Sequence, residues 1–380
     1  MDFEPNETQA AVAAAARAFA TGRVAPEAAR NDREARFPEA LVRELGSLGL
    51  LAVNAPAALG GSEAGAVAYA LAVMEIAAAD GSVAVTMAVT NMVAETIARF
   101  GTPAQRERCV PRLASGEWVA GSFALSEPHA GSDAAALATR AERRGDRWVL
   151  NGAKQWITSG DRAGVLVVWA RTEPGTGTRG ISAFLVEGGT PGLVVGRHED
   201  KMGLRASSTV SLTFEDCELP LDAVLGEPGG GFKVALAALD GGRIGIAAQA
   251  TGTLRAALEA SVRYARERRA FGRPIAEFQA VSFALADMRT AHDAARLLTL
   301  RAAARKDAGE RYTREASMAK LLASEAAQRA VSQAVQVHGG YGYVGEFPVE
   351  RYFRDARVQT IYEGTSEVQR LVIAREILAP

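Results

Sequence analysis

Between Trp118 and Leu225 the apolar residues change their period, and that change constrains the fold more than any other feature of the chain. On either side, apolar positions recur with helical spacing along alanine-rich stretches; inside, short alternating runs are cut by turn residues. The runs GVLVVWAR, GISAFLVE and STVSLTFEDC read as strands. In DRWVLNGAKQWITSG, Asn151-Gly152 stands between two strand-like arms, the strongest short-range hairpin signal. Short strands with no helix between them predict an antiparallel barrel or sandwich, not a Rossmann sheet. The expected fold class is therefore α+β and multidomain. An N-terminal α-helical domain covers residues 1–116, a middle β domain 117–228, and a C-terminal α-helical bundle 229–380.

Local signals support the helical blocks. FPEALVRELGSLGL puts Pro38 in a first turn, Leu41, Leu45 and Leu48 on one face, and Gly49 at the end. Thr102 to Gln105 reads as a capping box with Pro103 at the first helical position. In the third block LRAALEASVRYARERRA, FALADMRTAHDAARLLTLRAAARK and EASMAKLLASEAAQRAVSQAVQVHG are long helical periods. GYGYVG, Gly340 to Gly345, satisfies the dinucleotide-binding spacing, but a helical pattern precedes it and Pro348 follows. A glycine-rich turn ending a helix is the better reading.

The totals exclude several classes of function. There are 43 basic and 44 acidic residues, so no broad field favours nucleic acid or an anionic membrane. Cys109 and Cys217 lie far apart without CxxC spacing, and the histidines at 129, 198, 292 and 338 are scattered, which argues against a disulfide framework or a metal site. No basic and apolar leader opens the chain, and no uncharged apolar run approaches the ~20 residues that span a bilayer. No membrane span and a cytoplasmic location are the expectations.

IYEGTSEVQR, Ile361 to Arg370, sets one carboxylate, Glu363, between an aromatic residue and a glycine, with Thr365 and Ser366 opening a helical pattern. With FALSEPHAGSD (Phe123 to Asp133), NGAKQWITSG, MGLRASST, LDGGRIGIAAQA, YARERRAFGRPIAEFQ and QVHGGYGY, in that order along an α–β–α layout, the chain resembles the acyl-CoA dehydrogenase family over essentially its whole length.

The resemblance implies FAD as cofactor, an acyl-CoA thioester as substrate, electron-transferring flavoprotein as electron acceptor, and a homotetramer built as a dimer of dimers. The implied reaction removes an α-proton and a β-hydride from the acyl chain and leaves a trans-2-enoyl-CoA. A carbon acid is weak, so the base must lie against the α-carbon while the thioester carbonyl is polarised. Glu363 matches the family's base, and Gly364 keeps its backbone N–H open to the forming enolate oxygen. Some relatives carry the base just before an arginine in the helix that opens the third block; here that position is Gly242, before Arg243, so no carboxylate competes. Bound acyl chain is expected to raise the pKa of Glu363 above its usual ~4.3 by desolvation. Asp240, Arg243, Tyr362 and Ser132 are implied substrate contacts.

By the same resemblance Trp156 packs on the flavin ring and Thr158 donates near its reactive nitrogen. Phe123, Leu125, Ser126, Gly131, Ser132 and Ile157 hold the rest of the isoalloxazine. Arg268, with Phe271 and Gln279, reaches the FAD of a neighbouring subunit. Gln336, Gly339 and Gly340 meet it across the same interface. Thr365, Ser366 and Glu367 cap the last helix against the cofactor, whose phosphates suit a helix's positive end. His129 stands where many relatives have glycine. An acyl-CoA oxidase, a flavin monooxygenase on the same fold, or a non-catalytic flavin- or CoA-binding paralogue is the alternative.

Overall fold

Asn6 opens the first helix: its side chain accepts from the Gln9 N–H, while the Gln9 side chain accepts from the Asn6 N–H. In the computed structural model, which describes residues 4–378, the outer ends of the expected first and third domains, residues 1–3 and 379–380, lie outside the described residues. Helix α1 (Glu7–Phe19) runs through a π-helical turn into α2 (Ala25–Glu34). Helix α3 (Glu39–Ser47) follows, with Pro38 just outside it at the N-cap and not in the first turn, and Gly49 left-handed beyond its end. Helices α4 (Gly65–Ala79) and α5 (Gly81–Phe100) meet at Asp80, whose carboxylate accepts from the Ser82 N–H at 2.7 Å. The capping box at Thr102–Gln105 forms at the head of α6 (Pro103–Ala114).

Helix α5 is long and apolar enough, by length and composition, to cross a bilayer. Glu95 and Arg99 cut its uncharged run to residues 81–94, short of the ~20 that span a bilayer; 89% of its apolar window is buried inside the protein.

The middle block supplies β1 (Ala120–Ala124), β2 (Arg140–Arg144), β3 (Arg147–Thr158), β4 (Ala163–Arg171), β5 (Ile181–Glu187), β6 (Leu193–His198), β7 (Thr209–Pro220) and β8 (Val224–Leu225). They form one sheet in the order β6-β7-β3-β2-β4-β5-β8, with β1 beside β4. Most pairings are antiparallel, as expected, but β4 pairs parallel with β1 and with β2, so the sheet is mixed.

Asn151-Gly152 is not the hairpin turn. The turn lies at Gly145 (φ 63°) and Asp146, between Arg144 and its partner Arg147. Asn151-Gly152 falls inside β3, where the pairing with β7 slips. The Asn151 amide donates to Asp216 at 3.0 Å, and its oxygen accepts from the Asp216 N–H at 2.9 Å. A Cβ on Gly152 would come within 2.6 Å of the Thr139 hydroxyl. The glycine marks a bulge and a close backbone approach, its other meaning in a strand.

The third block is helical: α7 (Gly231–Glu267), α8 (Gln279–Asp307), α9 (Thr313–His338), α10 (Val349–Ala356) and α11 (Ser366–Leu378), with a small ribbon of β9 (Arg269–Ala270) and β10 (Arg273–Pro274) after α7. Helix α7 is 37 residues, roughly 55 Å long. It is the spine against which α4, α5, α8, α9 and α10 pack. Its alanines and glycines let backbones approach closely. Gly340 to Gly345 lies in the turn that ends α9, with no strand before it. One apolar core fills the helical block, a second joins α5 and α6 to the sheet, and a third lies on the sheet's other face. Trp169 Nε1 donates to the Gly231 carbonyl at 2.7 Å and pins the sheet to the head of the spine.

Candidate active site

The turn between α10 and α11 bends sharply enough to need two consecutive left-handed residues, Glu363 (φ 54°) and Gly364 (φ 89°). Glutamate adopts this conformation only when surrounding structure holds it there. The Gln369 side chain provides part of that hold, donating to the carbonyls of Glu363 at 3.0 Å and Gly364 at 2.9 Å. The preceding Tyr362 donates its hydroxyl to Gln249 of α7, whose amide is anchored on the Gly81 carbonyl at 2.9 Å. Thr365 caps α11 by accepting from the Val368 N–H, whereas Ser366 is the first helical residue and its buried hydroxyl has no partner.

The turn delivers the Glu363 carboxylate onto α7. Its Oε2 is buried without a hydrogen-bond partner. Burial pushes its pKa up to about 7 against the pull of Arg243 and Lys320. The environment that raises it is thus present in the protein itself, before any acyl chain adds to it. A Cβ on Gly242 would lie 2.7 Å from Glu363 Oε2 and 2.9 Å from Met92 Sδ. The absence of a side chain at Gly242 is therefore what admits the carboxylate, and a base at one position excludes a base at the other. Gly242→Ala is expected to displace Glu363 and Met92 and to lower turnover at least tenfold while the protein stays folded, checked by activity alongside circular dichroism.

Asp240 and Arg243 pair with each other at 2.6 Å on the same face of α7, and Thr313 donates to Asp240 at 2.6 Å. Arg243 is buried, with its Nε unpartnered.

A second group of the expected residues gathers at the end of the sheet. Lys154, fully buried, donates to the Leu125 carbonyl at 3.1 Å and to Glu127 at 2.8 Å. Glu127 also accepts from the N–H groups of Ala138 at 2.7 Å and Thr139 at 3.0 Å. This pair fixes the loop that carries Ser126, Gly131 and Ser132. The Gln155 N–H donates to the Ser126 carbonyl at 3.0 Å, and Ser122 donates to the Thr158 carbonyl at 2.7 Å. Trp156 is left-handed (φ 63°) and 62% exposed, so its ring stands off the sheet. The side chains of Ile157 and Leu125 are buried in the core, which leaves their backbone for a ligand. Phe123 is likewise turned inward, its ring 4.3 Å from that of Trp169.

A third group lines an open groove of about 550 Å³ that includes Tyr264, Arg268, His338, Gly339, Gly340 and Tyr341. The Arg268 guanidinium lies 5.7 Å over the Tyr341 ring, and a Cβ on Gly339 or Gly340 would meet nothing within 4 Å. Gln336 and Gln279 are exposed nearby in sequence, and Phe271, left-handed at φ 50°, is 95% exposed. No hydrogen bond among the described residues links this third group to the second. An exposed aromatic ring, open backbone and a guanidinium with no ion pair among the described residues suit a flat heteroaromatic ring joined to a diphosphate, so the residues fit a dinucleotide such as FAD.

The sequence reading missed the residues that surround the carboxylate: Met92, Lys320, Gln249, Gln369, and Tyr69, whose hydroxyl would lie 2.4 Å from a Cβ on Gly245. It also missed Glu95 and Lys306, paired at 2.7 Å beside Gly241. One signal was available. Lys320 falls in helical register with Ala316, Ala319, Ala323 and Ala327, on a stripe where a charge has no solvent.

Three family models match in series: acyl-CoA dehydrogenase N-terminal domain over residues 6–117, middle domain over 122–217, and C-terminal domain over 229–378. The short-chain specific acyl-CoA dehydrogenase of Bos taurus is 51% identical over 373 residues, covering 98% of this chain and 90% of that protein. Butyryl-CoA dehydrogenase from Megasphaera elsdenii superposes with a TM-score of 0.98 at 42% identity, covering all of both chains. A chain from a structure described as the electron transferring flavoprotein of Acidaminococcus fermentans superposes at 0.99 with 42% identity, again over all of both chains.

Proposed function

The chain belongs to the acyl-CoA dehydrogenase family of FAD-dependent oxidoreductases, and from that premise we propose that Glu363 is the base that takes the α-proton of an acyl-CoA thioester. The observation that carries this reading is the partner-free, buried Oε2 of Glu363, held over Gly242 with a pKa raised to about 7. A carboxylate at such a pKa is well matched to a weak carbon acid near neutral pH.

The Gly364 N–H, which donates no hydrogen bond among the described residues, would polarise the thioester oxygen as the proton leaves. Bound FAD supplies the two-electron acceptor for the hydride that departs from the β-carbon. With that hydride gone, loss of the α-proton to Glu363 would leave the trans-2-enoyl thioester. Trp156 and the loop of residues 126–132 would hold the ring, while Arg268, Gly339 and Gly340 of a second copy of the chain would receive the diphosphate. A shared site of that kind is supported by the absence, among the described residues, of a hydrogen bond between the two groups, and by the exposed Phe271 and Tyr343. On this reading the electrons leave through an electron-transferring flavoprotein.

A short acyl group is the substrate class we favour. A small space between α5 and α7, lined by Tyr69, Met92, Glu95, Thr96, Ala238 and Gly241 and sharing Met92 with the surroundings of the base, has a cavity volume of only about 20 Å³. That is room for little more than one water-sized group. The Glu95–Lys306 ion pair stands against Gly241 at its edge. Each methylene that does not fit lowers kcat/KM by roughly 10-fold or more.

The test is an anaerobic titration of the FAD-loaded protein with butyryl-, isovaleryl-, octanoyl- and palmitoyl-CoA. Bleaching of the flavin by butyryl-CoA, weakening steeply with chain length, is the expected result. Bound FAD that no thioester bleaches would overturn the reading.

A further inference from the structure

Behind the base lies a lysine that the chemistry above does not use. Lys320 of α9 has no exposed surface. Its Nζ donates to the Gly364 carbonyl at 2.8 Å, the same oxygen that accepts from Gln369. Two donors, one of them charged, thus fasten the peptide unit that follows the base. Such fastening is needed, because a left-handed glutamate relaxes if it is released.

The ammonium bonds the carbonyl and not the carboxylate. Glu363 is drawn electrostatically towards Lys320, yet its Oε2 keeps no hydrogen bond. A carboxylate locked in a salt bridge has its lone pairs occupied and is a poor proton acceptor. One that feels a nearby cation without binding it stays ionised and open.

We propose that Lys320 is a positioning residue for the reaction: its charged form holds the Glu363–Gly364 turn and keeps the carboxylate ionised without occupying it. The inference rests on the reading of Glu363 as the base.

Glu363 is faced by Arg243 of α7, Lys320 of α9, Tyr69 of α4 and its own neighbour Tyr362. Lys320 is faced by Glu363, Arg243, Glu367 and Glu325. Burial pushes the Lys320 pKa down to about 8 against the attraction of Glu363. The base works deprotonated, so bleaching rises as pH climbs through its pKa. The fastening works protonated, so bleaching falls as pH climbs through that of Lys320. The expected profile is a narrow bell between about 7 and about 8, its two limbs belonging to the coupled pair.

The experiment measures rapid anaerobic bleaching of FAD-loaded protein by butyryl-CoA from about pH 6 to about pH 9, for wild type, Lys320→Arg and Lys320→Met. Lys320→Arg, whose guanidinium stays charged, is expected to lose the alkaline limb. Lys320→Met, uncharged at every pH, is expected to lose that limb by bleaching throughout at the reduced rate of the wild type's alkaline end, and to move the acid limb up by about one pH unit, through the rate and not through half-saturating acyl-CoA. An infrared titration of the Glu363 carboxyl, by difference from Glu363→Gln and without substrate, is expected to show the same upward shift in Lys320→Met. It also serves if either variant binds FAD poorly. An unchanged bell in Lys320→Arg, or a Glu363 titration indifferent to Lys320, would overturn the proposal. A wild type that no thioester bleaches would instead refute the base assignment, which separates the two failures.

Discussion

Glu363→Gln is expected to lower the rate at which butyryl-CoA bleaches the flavin by roughly 10²- to 10⁴-fold, the range that a positioned general base contributes. The substitution keeps the shape of the side chain, and the turn is held by the carbonyls of residues 363 and 364, which it leaves untouched. What it removes is the proton acceptor. The residual rate should also lose the acid limb of its pH profile. That limb reports a carboxyl raised to about 7, whose basic form gains population as pH rises through that value. Stopped-flow absorbance at several pH values, with FAD content measured beside it, checks both parts. A variant that bleaches as fast as wild type would remove Glu363 from the mechanism.

Glu127→Ala is expected to destabilise the protein by about 3–5 kcal/mol, the range found when one partner of a buried ion pair is deleted. Lys154 and Glu127 are both almost wholly buried, 2.8 Å apart. Alanine would leave the ammonium with only the Leu125 carbonyl, and would orphan the N–H groups of Ala138 and Thr139. His129, whose imidazole lies 3.7 Å from the same carboxylate, is exposed and cannot replace it. Denaturant unfolding measures the loss. Because the same loop carries Ser126 and Ser132, weaker FAD retention should accompany it. Lys154→Met, which abandons the Glu127 carboxylate but leaves it the N–H groups of Ala138 and Thr139, is expected to cost less, and that ordering measures how far those two donors hold the charge.

The block layout was legible because helix and strand differ in period over long stretches, a signal that tertiary context seldom overrides. The Asn151-Gly152 dipeptide misled because a turn signal states only what a backbone tolerates. Asp216 on the neighbouring strand decides that the pair is a bulge, and it lies 65 residues away. Within the site, Glu363, Trp156 and Ser132 were legible through the motifs that carry the family resemblance; Glu363 and Ser132 lie on loops, whereas Trp156 lies inside β3. Tyr69, Met92 and Glu95 were not. They are spaced along α4 and α5 like any other core residues, and only the crossing of those helices over α7 turns them towards Glu363. Lys320 was the intermediate case, conspicuous as a charge on a buried stripe, while its target on another turn was invisible.

Thermostabilisation by design commonly begins by replacing helical glycines with alanine, each worth up to about 1 kcal/mol in helix propensity. Helix α7 is an inviting target, since Gly241, Gly242, Gly245 and Gly252 all fall in its interior. A Cβ at Gly252 would lie 2.3 Å from the Met74 carbonyl, and one at Gly245 would meet Tyr69. At Gly242 it would meet the carboxylate itself. The positions a propensity scale would correct first are those where the spine gives up helix stability to leave room for its neighbours and for the reaction. A screen of this protein for heat resistance alone should therefore find its gains away from Gly242, Gly245 and Gly252.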